Sequence, residues 1–123
     1  MDAVRKKILA IDDEVEILEI LRESLEAEGY DVCTAKDGIE GLEAAQKFNP
    51  DLIFLDVMMP RMDGFEFLDR LDSAPEIRKT PVVMLSAYGM IDNIFMAQKY
   101  RVRDFLIKPY KMVDLIDAMH RYA

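Results

Sequence analysis

At 123 residues, 51% hydrophobic and 33% charged, the chain is long enough for one buried core and too short for two domains of ordinary size. Its 16 basic and 24 acidic residues leave a net charge of −8, which argues against a surface that wraps a nucleic-acid backbone or lies on an anionic membrane. Cys33 is the single cysteine and has no internal disulfide partner, and no stretch approaches the ~20 apolar residues of a membrane span, so a cytoplasmic single domain over 1–123 is expected.

Residues 7–11 form a short apolar run of strand type, closed by Asp12-Asp13-Glu14. A first helix follows, with Ile17, Leu18, Leu21 and Leu25 as an apolar stripe and Glu16, Glu19, Glu23 and Glu26 as a solvated face. Gly29 sits where a left-handed terminating residue is wanted. A second strand over 31–35 leads to a helix from about Asp37-Gly38 to Phe48, which Asn49-Pro50 stops. The third strand, 51–55, runs into Asp56. A third helix carries Phe65, Leu68 and Leu71, and 73–79, with Pro75, reads as a loop. The fourth strand, 81–85, ends in Ser86-Ala87 and precedes a helix over roughly 90–100. The fifth, 103–107, ends in Lys108-Pro109 and precedes a helix over roughly 112–122. The nine methionines read mostly as core filler, and His120 as a solvated helix residue.

Five strands alternating with five helices predict an α/β fold: a doubly wound parallel sheet with helices on both faces and right-handed crossovers. Periodicity alone leaves the strand order open. In such sheets function gathers outside the carboxyl ends of the strands. Those ends carry Asp12, Asp13 and Glu14, then Asp56, then Ser86, then Lys108. Adjacent carboxylates resist ionising together unless a cation joins them, and an all-oxygen cluster with open positions suits Mg²⁺ better than a full Ca²⁺ cage or zinc. A central aspartate can then attack phosphorus to form an acyl phosphate, with Mg²⁺ and Lys108 neutralising the phosphoryl oxygens and Ser86 donating a hydrogen bond.

Taken in order, Ile11-Asp12-Asp13-Glu14, Phe54-Leu55-Asp56-Val57-Met58-Met59-Pro60 with Met62-Asp63-Gly64, Leu85-Ser86-Ala87 and Phe105-Leu106-Ile107-Lys108-Pro109 resemble the response regulator receiver domain, over essentially the whole chain. The resemblance implies a flavodoxin-like sheet of order 2-1-3-4-5. It implies Asp56 as phosphoacceptor from a histidine kinase's phosphohistidine, Asp13 as direct Mg²⁺ ligand, Asp12 as its partner through water, and the Met58 backbone carbonyl as a further ligand. It implies Ser86 as switch hydroxyl, Lys108 as phosphate-binding lysine and Phe105 as aromatic switch. Where the family often has Gly-Ala, this chain has Arg101-Val102.

Rival readings have less support. A flavin carrier needs a first loop that cradles phosphate, and Asp12-Asp13-Glu14 would repel one. An aspartyl phosphatase usually carries a second Asp two positions after the nucleophile, where this chain has Met58. Neither Gly-x-Gly-x-x-Gly nor a phosphate loop occurs. A receiver-fold module that is never phosphorylated would have lost Asp13, Asp56 or Lys108, and all three are present. The chain is therefore read as a stand-alone receiver with no output domain, not an enzyme beyond its own phosphorylation and dephosphorylation; an unphosphorylated receiver-fold interaction module and the excised receiver of a larger transcription regulator are the alternatives. Met58 and Tyr88, in the positions that flank hydrolytic water in the family, offer no group to place that water and predict slow dephosphorylation. Met90, Ile91 and Ile94 predict an apolar output face on the fourth helix, beside the fifth strand and fifth helix. That face would serve a target protein or a second copy of the chain. Nucleic acid and membrane are not expected partners.

Overall fold

The structure is a computed structural model that describes residues 5–57, 59, 62–77, 79–87, 102–108 and 110–123, the side chains of Ser86 and Ala87 excepted. Its elements are β1 (Lys7–Ile11), α1 (Val15–Ala27), β2 (Asp31–Ala35), α2 (Gly38–Phe48), β3 (Leu52–Asp56), α3 (Gly64–Asp72), β4 (Val82–Ala87), β5 (Asp104–Lys108) and α4 (Met112–Tyr122). All four strand pairings are parallel, in the order β2-β1-β3-β4-β5. Four helices stand among the described residues where five were expected, because the stretch 90–100 lies outside them. No helix among the described residues is long and apolar enough to cross a membrane.

Alternation along the strands sorts the core into two layers. Leu9, Ile11, Ile53, Leu55, Val82 and Met84 face α2 and α3, where Phe67, Leu68 and Leu71 meet them. Ile8, Ala10, Leu52, Phe54, Val83 and Leu85 face α1 and α4, against Leu18, Leu21, Leu25, Leu115 and Met119. Both faces are covered, which is why the strands are apolar almost throughout.

The helix boundaries follow local chemistry. Gly29, at φ +94, closes α1 with a conformation that side chains disfavour. Asp37 caps α2 by accepting from Glu40 N, and Asn49, at φ 50, ends it. Asp63 caps α3 with its Oδ1, which accepts from Phe65 N and Glu66 N at 2.9 Å each.

Three strands begin one residue later than expected and run further. Pro81 has no N–H to give a ladder, and the Asp51 carboxylate takes Lys7 N at 2.8 Å outside the strand. At the other end the parallel register pairs Asp56 with Leu85, Ser86 with Ile107 and Ala87 with Lys108. Backbone pairing is indifferent to side-chain charge. Asp56 and Lys108 therefore close their strands from within rather than follow them.

Candidate functional site

Asp12, Asp56 and Lys108 come together because each sits two residues beyond a side chain of the layer facing α1 and α4: Ala10, Phe54 and Leu106. The register places Ile11 beside Leu55, so Asp12 and Asp56 are neighbours at the carboxyl edge of adjacent strands. Gly64 fixes the other side. Its N–H donates to the Val57 carbonyl at 2.9 Å, and a Cβ there would stand 2.8 Å from the Asp56 carbonyl oxygen. Only glycine lets the start of α3 lie this close to the backbone of Asp56.

Carboxylate oxygens of Asp12, Asp13 and Asp56 lie within 4.8 Å of one another. Asp12 is fully enclosed and Asp56 is 5% exposed, while Asp13 is open to solvent. Lys108 reaches in from β5, its Nζ 3.0 Å from Asp12 Oδ2, 3.4 Å from Asp56 Oδ1 and 3.8 Å from Glu14 Oε1. Asp12 Oδ1 accepts from Glu14 N at 3.0 Å, which ties the loop into α1 to the site.

Burial is the main reason that the Asp56 carboxyl is pushed up to about 7; the Asp12 charge, and less strongly that of Asp13, add to it, and Lys108 opposes them. Burial pulls the Lys108 ammonium down, but its hydrogen bond to Asp12 and the charges of Asp12 and Asp56 outweigh that and leave it above its ordinary value. One ammonium thus serves two buried carboxylates that repel each other. A further cation is what this donor set lacks, and three oxygen donors with one open to solvent fit a hard divalent ion that keeps part of its water.

Of the residues predicted for the site, Asp12, Asp13, Asp56 and Lys108 are brought together. Ser86 lies in β4 at the same edge, its side chain outside what is described, and Phe105 is half-buried on the layer facing α2 and α3. Met58, Tyr88, Met90, Ile91, Ile94 and Arg101 lie outside the described residues. Sequence reasoning placed Glu14 among the strand-end carboxylates without foreseeing that it is one of the three acids on Lys108, and it gave no role to Tyr110, whose hydroxyl is buried in the field of the cluster. The signal for Tyr110 was its place two residues after Lys108.

The sequence profile of the response regulator receiver domain matches residues 8–120. The chain belongs to the response regulator receiver family. This receiver is 38% identical over 110 residues to the DNA-binding dual master transcriptional regulator RpaA of Synechocystis, covering 89% of the chain and 46% of that protein. It is 39% identical over 107 residues to the alkaline phosphatase synthesis transcriptional regulatory protein PhoP of Bacillus subtilis, covering 87% and 44%. The receiver therefore spans less than half the length of these regulators, and relatives described as transcriptional regulators leave the expectation of no nucleic-acid partner unsupported. Among solved structures it is similar to the chemotaxis protein CheY4 of Vibrio cholerae, with a TM-score of 0.91, 32% identity, and coverage of 98% of this chain and 100% of that one.

Proposed function

We propose that this receiver accepts a phosphoryl group on Asp56 from a phosphohistidine of a histidine kinase or phosphotransfer protein, in a Mg²⁺-dependent reaction in the cytoplasm, and that the modified form binds its partner differently. The observation that carries this reading is a buried Asp56 carboxylate held between two further carboxylates and one ammonium. Asp13 directly, Asp12 largely through water, Asp56 and the Met58 backbone carbonyl would hold the ion, which supplies neutralisation of the phosphoryl oxygens when bound.

Asp56 must be ionised to attack, and positive charge beside it favours that form. One of its oxygens then bonds to phosphorus while the N–P bond of the donor breaks, and the imidazole leaves with that electron pair. Lys108, 3.4 Å from Asp56 Oδ1, is placed to follow the new phosphoryl oxygens. Ser86 donates to another of them, and Phe105 takes the space released, biasing an existing equilibrium toward the partner-competent state. The protein catalyses only its own phosphorylation and dephosphorylation.

Acetyl phosphate with Mg²⁺ should add one acid-labile phosphate, lost in Asp56→Asn and in Asp13→Asn. Label retained in Asp56→Asn and mapped to another residue would overturn the assignment. The apolar chain of Met58 and the ring of Tyr88 should make the phosphate long-lived, and Met58→Asn with Tyr88→Glu should shorten its half-life. Met90, Ile91 and Ile94 form the proposed output face, with β5 and α4. Ile91→Ser with Ile94→Ser should leave labelling intact and weaken phosphate-dependent association, whether with a target or with a second copy.

A second reading is favoured by the coverage of the relatives: the sequence is the receiver portion of a longer transcription regulator. The switch then acts on an attached output domain. At −8, the receiver itself is ill suited to hold DNA phosphates.

A further inference from the structure

Two residues past Lys108, Tyr110 packs its ring on the layer that α1 and α4 cover. Its hydroxyl oxygen is sealed from solvent and has no hydrogen-bond partner, the one buried side-chain polar atom of that kind among the described residues. Leaving such a group unpaired is unfavourable, so its persistence calls for a reason. Burial pushes the hydroxyl up to about 12, with Asp12 the largest of the charges acting on it, ahead of Lys108, Asp56 and Glu14. Tyr110 is thus a neutral donor with nothing to donate to, in the field of Asp12.

Asp12 has the complementary problem in prospect. Its Oδ1 is held by Glu14 N at 3.0 Å and its Oδ2 by Lys108 Nζ at 3.0 Å, and none of it reaches solvent. If Lys108 turns wholly to a phosphoryl group on Asp56, as the proposed function requires, Oδ2 loses the one side-chain donor it has among the described residues. The unmodified site has one side-chain donor too many, and the modified site one too few.

We propose that the Tyr110 hydroxyl replaces Lys108 on Asp12 when Lys108 turns to the phosphoryl group, so that Tyr110 is a positioning residue acting through Asp12. The inference rests on the phosphoacceptor reading for what draws Lys108 away, but the exchange of donors is readable without phosphate.

The test is a double-mutant cycle on the metal-free protein, with Tyr110→Phe made in the parent and in Lys108→Met, and thermal unfolding as readout. In the parent, removing an unpaired hydroxyl should leave Tm unchanged or raise it. In Lys108→Met, where the hydroxyl already serves Asp12, the same change should lower Tm by roughly 4–8 °C. Equal shifts in the two backgrounds would overturn the proposal, because a purely structural tyrosine does not sense Lys108. Should Lys108→Met not fold, the rise in Tm on labelling with acetyl phosphate and Mg²⁺ decides: a smaller rise in Tyr110→Phe than in the parent supports the exchange, and equal rises refute it. A parent that takes no label at Asp56 would sink the phosphoacceptor reading, while the cycle still reports on the exchange.

Discussion

The first four residues of β3, Leu52, Ile53, Phe54 and Leu55, are fully buried among apolar side chains, whereas the fifth, Asp56, is almost as enclosed but faces two carboxylates and an ammonium. The ladder runs through both regions without a break, since Asp56 pairs with Leu85 as regularly as Phe54 pairs with Val83. Burial of the apolar part stabilises the fold at about 25 cal/mol per Å² removed from water. Burial of the charged part opposes it, because an enclosed carboxylate is disfavoured until a positive charge joins it. The same sheet thus holds its stability in the middle of the strands and its buried charges at their carboxyl edge.

The sharpest way to break that contrast is Phe54→Ala, which empties the largest side chain of β3 from the layer facing α1 and α4. It should cost about 3–5 kcal/mol by denaturant unfolding, with the protein that remains folded still labelled at Asp56. A smaller loss is expected from Gly41→Ala, because a Cβ there would come within 2.5 Å of Ile11 Cδ1 and 3.2 Å of the Phe67 ring. Overpacking of this kind should cost about 1–3 kcal/mol on the opposite layer, again without loss of label. Loss of phosphorylation in either variant under conditions where it is folded would show that core and edge are not separable in this way.

Most of this architecture was legible beforehand because the segments are bounded by residues with a single good use. Gly29 and Asn49 take left-handed conformations at helix ends, and Asp37 and Asp63 cap the helices that follow them. The ordered strand-end motifs led to the carboxylates and the lysine. Two things were hidden. Because both faces of the sheet are apolar, periodicity did not reveal that Asp12, Asp56 and Lys108 share the face of Ala10, Phe54 and Leu106. Nor could a sequence show that the Tyr110 hydroxyl would be enclosed, since Tyr110 lies past the end of β5, where strand alternation no longer assigns a face.

The claim that the carboxyl edge is held against stability is tested most directly by comparing the parent and Asp56→Asn by denaturant unfolding from pH 4 to pH 8, without divalent cations. The folded Asp56 carboxyl sits at about 7 against an ordinary 3.8, so between these values the folded state keeps a proton that the unfolded chain has released. Stability of the parent is therefore lost as pH rises through this window, by up to ~4 kcal/mol at its upper end, and Asn has no such titration. The advantage of Asp56→Asn should be small at pH 4, grow toward pH 7 and beyond, and shrink when Mg²⁺ is added. An advantage that stays constant across the range, or one that falls as pH rises, would contradict the account.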